Sequence, residues 1–122
     1  MQTGLSHTSC AVVDATMTAQ ALGSGDMEVL ATPAMVALME NAAMLAVAAH
    51  LPEGSTTVGS MIETSHLRPS KPGMAVRATA TLVEVDGRRL TFDVRAEDEA
   101  GTIGQGRHVR YVVDRARFLS KL

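Results

Sequence analysis

Residues 32–54 read TPAMVALMENAAMLAVAAHLPEG, and this stretch decides the fold. Thr32 and Pro33 predict a helix start, with the threonine hydroxyl as the N-cap and proline at the first helical position, where no N–H is needed. Residues 34–50 are rich in Ala, Leu and Met, which favour helices, and Pro52 ends the run. The apolar residues lie almost all the way round this helix, so we expect it to be buried on most sides.

The segments on either side of the helix carry strand and turn patterns. After residue 55, apolar and polar residues alternate with period two, which is typical of strands with one buried face. Asp86-Gly87 predicts a two-residue type I′ hairpin, since both central residues of that turn need positive φ. Before the helix, the pattern predicts a first strand within residues 9–17 and a loop over residues 18–31. After it come a strand with Val58, Ser60, Ile62, Thr64 and His66 on one face, a strand with Val76, Ala78, Ala80 and Leu82 on one face, a return strand with Leu90, Phe92, Val94 and Ala96 on one face, and a last strand over residues 102–114. Turns are predicted at residues 69–73 and 99–101, and the polar tail could hold a short helix. The four strands after the helix would form an antiparallel meander.

A single long apolar helix needs cover on nearly every side. A strongly curved antiparallel sheet wrapped around it would supply that cover, and a second copy of the chain could cap the exposed edge of such a sheet. The length of 122 residues suits one domain with one core. We therefore expect residues 1–122 to form one α+β domain with the hot-dog fold, and we expect a homodimer.

The composition excludes several classes of function. Hydrophobic residues make up 46% of the chain and charged residues 20%, as in soluble globular proteins. The formal net charge of −2 provides no basic excess for binding nucleic acid or an anionic membrane. Two Phe and one Tyr are the only aromatic residues, so there is little material for stacking on bases.

Cellular location and metal content are predicted from single features. Cys10 is the only cysteine and cannot form an intrachain disulfide, which favours a reducing, cytoplasmic setting. Residues 1–7 do not read as a signal peptide, and residues 33–49 are too short and too polar to span a bilayer. No pair of His, Asp or Glu residues has metal-ligand spacing, so we expect no metal.

The type and position of three residues make them candidates for a role in catalysis. Glu40 lies within a helix that should be buried, and burying an unpaired carboxylate is energetically costly. Its presence therefore indicates a pocket, a partner from another subunit or a shifted pKa. The alternative is that Glu40 faces a hydrated groove and has no role in chemistry. Thr32 could be a nucleophile or hold a water, although capping the helix is its simpler role. His66 follows a strand, where its ordinary pKa near 6.5 suits proton transfer, although such histidines are commonly surface residues. His7, His50 and His108 are expected to have no role in chemistry.

The spacing of these candidates limits how they act together. Thr32 and Glu40 are eight residues apart, or about 12 Å along a helix. They cannot both contact one reacting carbon unless something bridges them. Either His66 supplies the bridge or one residue comes from a partner subunit, and the sequence leaves both open.

Several motifs together resemble a known family. Residues 29–40, VLATPAMVALME, resemble the helix-start motif of hot-dog thioesterases related to fluoroacetyl-CoA thioesterase. Residues 58–66, VGSMIETSH, resemble that family's strand ending in a functional histidine. Pro72-Gly73, DGRRL at residues 86–90 and GQGRHVR at residues 104–110 match in spacing. The resemblance covers roughly residues 29–115.

The resemblance implies hydrolysis of an acyl-CoA thioester by Thr32, Glu40 and His66. It also implies that Gly59 and Arg110 lie near the acyl group and that the CoA thioester is the substrate, with no further cofactor. The family has a longer, Phe-bearing lid before the helix, whereas residues 16–31 here are short and contain no aromatic residue. Only general thioester hydrolysis, with a short-chain acyl group as the expectation, therefore carries over.

Two other functions fit the same fold, because a fold does not fix a function. The first is a non-catalytic module that binds acyl-CoA or another small molecule, in which Thr32 and His66 would contribute little to affinity. The second is another hot-dog enzyme, such as a hydratase, which would need an acid/base pair acting on a double bond.

Overall fold

The computed structural model describes residues 1–122 as a curled antiparallel sheet with one long helix packed inside it. The strands are β1 (Ser6–Val12), β2 (Ser55–Thr64), β3 (Ala75–Asp86), β4 (Arg89–Asp98) and β5 (Gly101–Asp114), and the helices are α1 (Ala19–Leu22), α2 (Thr32–Ala48) and α3 (Arg115–Ser120), with a 3-10 turn at Ala15–Met17. The strand order is β1-β3-β4-β5-β2. This is the predicted α+β architecture.

The core lies between α2 and the concave face of the sheet. The predicted alternation is confirmed over residues 76–82 of β3 and 90–96 of β4, where every second residue is buried against the helix. The buried residues are Val76, Ala78, Ala80 and Leu82 from β3, Leu90, Phe92, Val94 and Ala96 from β4, and Met35, Met39, Ala42, Ala43, Ala46 and Val47 from α2. Small alanines on both surfaces let the helix approach the sheet closely, while flexible methionines fill the remaining space.

The predicted four-strand meander is wrong for β2. Only β3, β4 and β5 follow one another as neighbours, whereas β2 pairs with β5 at the far edge of the sheet. A tight turn would have forced β2 beside β3, but residues 65–74 form a connection long enough to carry the chain across the end of the sheet. The same arrangement leaves β1 and β2 as the two edges.

Two other local predictions differ from the structure. In the β3–β4 hairpin Asp86 pairs with Arg89, so the central residues are Gly87 and Arg88. Gly87 has a φ of 60° and no other type of residue has positive φ, which matches a type II′ turn rather than type I′. The first strand begins earlier than expected, at Ser6, and the predicted loop over residues 18–31 contains the short α1. The turn near residue 100 and the last strand and tail are as predicted.

The start and the surface of α2 also differ from expectation. The N-cap is Ala31, which has no side-chain cap, and Thr32 is already within the helix. One side of α2 is not covered by the sheet, so Ala37, Asn41 and Leu45 are exposed. The all-round apolar pattern therefore exceeds what one copy of the sheet covers. None of the three helices combines the length and the apolar content that crossing a bilayer requires.

Candidate active site

Thr32 and His66 meet at the N-terminus of α2. His66 lies two residues beyond the end of β2, and its Nδ1 is 2.7 Å from Thr32 Oγ1. The chain before the helix is fixed by two backbone hydrogen bonds, from Leu30 N–H to the Ser70 carbonyl and from Ala31 N–H to the Met17 carbonyl, each 2.8 Å long. Because Ala31 is the N-cap, the Thr32 hydroxyl is not used in capping and is free to donate to a neutral His66.

The ring of His66 is poised to accept a proton. Partial burial lowers the pKa of His66, and a contact with the Arg68 backbone opposes that shift without reversing it. The imidazole is therefore neutral at pH 7, so Nδ1 can accept the Thr32 proton. Its Nε2 is shielded from solvent and has no hydrogen-bond partner in the chain.

This pKa direction predicts the acid side of the pH profile. Because its pKa is lowered, His66 stays neutral even when the pH is somewhat below the ordinary histidine pKa of about 6.5. Activity falls only when the pH drops through the lower pKa that His66 has in the folded protein. We expect kcat/KM for thioester hydrolysis to be flat around neutrality and to decline with a midpoint below about 6.5. Initial rates across a constant-ionic-strength buffer series check this, and a midpoint above that value would contradict it.

The segment that follows His66 is anchored by a buried carboxylate. Asp98 accepts hydrogen bonds from Ser70 Oγ (2.9 Å), Arg68 Nη2 (3.0 Å) and Ala100 N–H (2.8 Å). Burial alone would raise the pKa of Asp98, but these donors and the Arg68 charge together hold it below its usual value. This anchor could not be predicted from the sequence, because Ser70 and Asp98 stand alone in turn-like segments and no spacing links them.

A second group of polar residues surrounds Gly59. Gly59 pairs with Arg110 across β2 and β5, and Arg110 Nη1 lies 3.9 Å from Glu40 Oε2. A Cβ atom at Gly59 would lie 3.1 Å from Glu40 Oε2, 3.3 Å from His108 Cε1 and 3.4 Å from Arg110 Nη1. The absence of a side chain at residue 59 therefore leaves only a narrow space, too tight for a methyl group, between the β2 backbone and three polar side chains.

Two expectations about this group need correction. Glu40 is not deeply buried: its side chain is 42% exposed, because it lies beside the uncovered side of α2. The strand face predicted for β2 is interrupted, since a bulge between Gly59 and Met61 shifts the register by one residue. The bulge ends the simple alternation that placed Ser60 and His66 on one face with Val58.

Within one chain the candidate residues form two clusters rather than one. Thr32 and His66 make the first, and Glu40, Gly59 and Arg110 make the second. No hydrogen bond or ion pair joins them, so His66 does not bridge Thr32 to Glu40 as the first of the two earlier alternatives required. The second cluster also contains His108, for which no role in chemistry was expected. The sequence feature that could have revealed it is its spacing of two residues from Arg110, which places both side chains on one face of β5.

A small cavity opens beside the Thr32–His66 pair. It has a volume of about 250 Å³ and is lined by Ala19, Ser24, Val29, Leu30, Thr32, His66, Leu67, Arg68 and Pro69. Apolar side chains and the two candidate groups thus share one concave surface. A larger groove of about 550 Å³ lies on the outer face of the sheet and contains none of the candidate residues.

Filling the space at Gly59 is expected to impair catalysis without unfolding the protein. The Gly59 backbone does not have positive φ, so Gly59→Ala fits the strand, but its methyl group would displace Glu40 or Arg110. These contacts require the neighbouring side chains to move by only a few tenths of an ångström, and because a displacement near 1 Å costs about 10²-fold, we expect a smaller loss of about 3- to 10-fold in kcat/KM. Gly73→Ala is the control: Gly73 has a φ of 92° and open space around it, so this variant should lower the melting temperature and spare kcat/KM. Equal kcat/KM for Gly59→Ala and wild type would contradict the prediction.

Comparison with known proteins identifies the family. Residues 13–116 match the family described as fluoroacetyl-CoA-specific thioesterase. The fluoroacetyl-CoA thioesterase of Streptantibioticus cattleyicolor is 41% identical over 95 residues, which cover 78% of this chain and 68% of that protein. A crystal structure of a variant of the fluoroacetyl-CoA-specific thioesterase FlK superposes with a TM-score of 0.92 at 36% identity, covering 99% of this chain and 94% of that one. A hot-dog-like protein from Thermanaerovibrio acidaminovorans superposes with a TM-score of 0.89 at 26% identity, covering 99% and 90%. The hot-dog fold predicted from the sequence is confirmed, and the chain belongs to the fluoroacetyl-CoA-specific thioesterase family.

Proposed function

We propose that this protein is a thioester hydrolase that converts a short-chain acyl-CoA to the free acid and CoA. The observation that carries the proposal is the 2.7 Å contact between Thr32 Oγ1 and His66 Nδ1 beside a small, partly apolar cavity. Family membership supports the reaction class, since the matched relative is a fluoroacetyl-CoA thioesterase.

In this proposal His66 moves the proton. Either the Thr32 hydroxyl or a water held by it attacks the thioester carbonyl, and His66 accepts the proton that is released. The C–S bond then breaks, and the proton passes to the departing thiolate to give CoA. If Thr32 attacks, a second attack by water releases the acid and restores the hydroxyl. Glu40 polarises or orients the reacting groups.

The first turn of α2 offers one donor for the oxyanion. Pro33 has no N–H, and the Ala34 N–H bonds to the Ala31 carbonyl at 3.1 Å. The Thr32 N–H is therefore the free backbone donor at the positive end of the helix dipole. In the proposed site it stabilises the negative charge that develops on the carbonyl oxygen.

The size and lining of the cavity support a short acyl group. Its volume of about 250 Å³ is below that of most small-molecule pockets, and Val29, Leu30 and Leu67 supply an apolar wall. Residues 16–31 contain no aromatic side chain that could cover it. A small aliphatic acyl chain suits this space better than a long one.

We further propose that the active unit is a homodimer. One edge of β2 has no strand neighbour, and the uncovered side of α2 lies beside it with Leu45 41% exposed and Met61 44% exposed. Pairing of two β2 edges would cover these side chains. It would also allow the Glu40–Arg110 cluster of one subunit to complete the Thr32–His66 pair of its partner, which a single chain does not do.

Release of free thiol from acyl-CoA tests the reaction. Acetyl-, propionyl- and longer acyl-CoAs are assayed, and we expect kcat/KM to be highest for the short chains. We also expect thiol release to stop in a Thr32→Val/His66→Asn double variant. Binding of acyl-CoA without turnover would instead establish a non-catalytic binding module. Change in the absorbance of an enoyl-CoA without thiol release would indicate a hydratase.

Subunit complementation tests the shared site. Sedimentation should show a dimer, and mixing refolded Thr32→Val and Arg110→Ala chains should raise the activity well above the residual activity of either variant alone. A monomer that is fully active would contradict the dimer proposal.

The remaining proposals concern cofactors and location. The thioester is activated by its own CoA leaving group, so we propose that the protein uses no metal or cofactor, and dialysis against EDTA should leave kcat unchanged. We also propose a cytoplasmic location, which Cys10 supports as a free and exposed thiol. Cell fractionation with a cytoplasmic marker checks it.

A further inference from the structure

The guanidinium of Arg110 is buried and held by specific acceptors. Its side chain is 8% exposed. Nε donates to Thr57 Oγ1 at 2.8 Å, and Nη2 donates to the Thr57 carbonyl at 2.9 Å. The only carboxylate nearby is that of Glu40, at 3.9 Å, which is too long for a hydrogen bond. Nη1, the nitrogen nearest the space at Gly59, therefore needs another acceptor.

His108 supplies that acceptor, and its tautomer follows from its other contact. His108 Nδ1 lies 2.7 Å from the Met61 carbonyl, which can only accept, so Nδ1 carries the hydrogen. In a neutral ring Nε2 then has a free lone pair, and it lies 3.2 Å from Arg110 Nη1. The Met61 carbonyl is at the β2 bulge, so the bulge, the imidazole and the guanidinium form one hydrogen-bonded chain.

The surroundings keep this ring neutral and fixed. His108 is 1% exposed and lies against Phe92, with ring centroids 6.3 Å apart. Burial lowers the pKa of His108; the Met61 carbonyl and Glu40 oppose the shift, and the Arg110 charge adds to it. A protonated ring would direct an N–H at the guanidinium, and the contact of Nε2 with Arg110 Nη1 would become repulsive.

We propose that His108 is a positioning residue, whose Nε2 lone pair holds Arg110 Nη1 beside Gly59. This inference rests on the proposed function, in which the Glu40–Arg110 cluster of one subunit completes the Thr32–His66 pair of its partner and so lies near the acyl group. His108 presents no free polar atom to Gly59, because both ring nitrogens are engaged. It acts through Arg110, which is the group placed to contact the substrate.

Two amide substitutions separate the two contacts of the ring. In His108→Asn the amide N–H replaces Nδ1 and can still donate to the Met61 carbonyl, but nothing accepts from Arg110. In His108→Gln the amide oxygen replaces Nε2 and can accept from Arg110. The experiment measures kcat, KM and melting temperature for both variants, for Arg110→Ala and for His108→Asn/Arg110→Ala, using the acyl-CoA with the highest kcat/KM.

The proposal predicts a specific pattern. His108→Asn should lose about 10- to 100-fold in kcat/KM, as expected when a charged donor loses its acceptor. His108→Gln should recover most of that loss. In the Arg110→Ala background His108→Asn should cause no further loss, whereas a purely structural role would lower activity in both backgrounds.

Other outcomes overturn the proposal or the function beneath it. Equal losses in the Asn and Gln variants, or a full second loss in the Arg110→Ala background, would overturn the positioning role alone. Wild-type activity in His108→Asn together with a large loss in Arg110→Ala would do the same. No thiol release by the wild-type protein would instead reject the proposed function.

Discussion

Replacing His66 by asparagine is expected to lower kcat by about 10²- to 10⁴-fold, the usual contribution of a general base. The asparagine amide reaches the position of Nδ1 and can keep the hydrogen bond to Thr32, but it cannot take up a proton. No stabilising contact of Nε2 is lost, because that atom has no partner in the chain. The melting temperature should therefore change little. Thiol release under saturating acyl-CoA, together with a thermal melt, measures both effects.

The control for this variant is His50→Asn. His50 is exposed in the turn after α2, at the opposite end of that helix from Thr32, and its replacement should not change kcat. Binding of an acyl-CoA by the His66→Asn protein, followed by calorimetry, should remain close to wild type, since the imidazole is assigned to the chemistry rather than to affinity. A His66→Asn protein with normal kcat would remove His66 from the mechanism and leave Thr32 without a base.

The fold could be predicted because its main features are local. The Ala-, Leu- and Met-rich run marked α2, and strict alternation marked β3 and β4. An apolar surface all round one helix can be covered only by something that wraps around it, which is why the curved sheet followed from the sequence. The position of β2 did not follow, because a connection as long as residues 65–74 does not fix which strand is its neighbour.

The candidate site was predicted in its members but not in its arrangement. Thr32 matched the local preference for a hydroxyl at an N-cap, yet the backbone bonds of Leu30 and Ala31 place the cap one residue earlier. Glu40 looked buried because the pattern of α2 does not reveal which side one copy of the sheet leaves open. The contact of His108 with the Met61 carbonyl joins residues 47 apart in the chain, and no periodicity encodes such a contact.

Because the helix cap is Ala31, substitutions at Thr32 can test directly whether its hydroxyl acts in chemistry or in stability. A threonine that caps a helix contributes about 1 kcal/mol of stability through its hydroxyl, but Thr32 lies inside α2 and its hydroxyl contacts His66 instead. Thr32→Val keeps the shape and removes only the hydroxyl, so we expect kcat to fall by about 10²-fold with almost no change in melting temperature. Thr32→Ser keeps the hydroxyl and should retain most of the activity.

Stopped-flow thiol release also separates attack by Thr32 from attack by water. A burst of CoA before the steady state would indicate an acyl-Thr32 intermediate, whereas its absence would favour attack by a water held by Thr32. A Thr32→Val protein that is destabilised like a helix without its cap, yet fully active, would reverse the assignment and return Thr32 to a structural role.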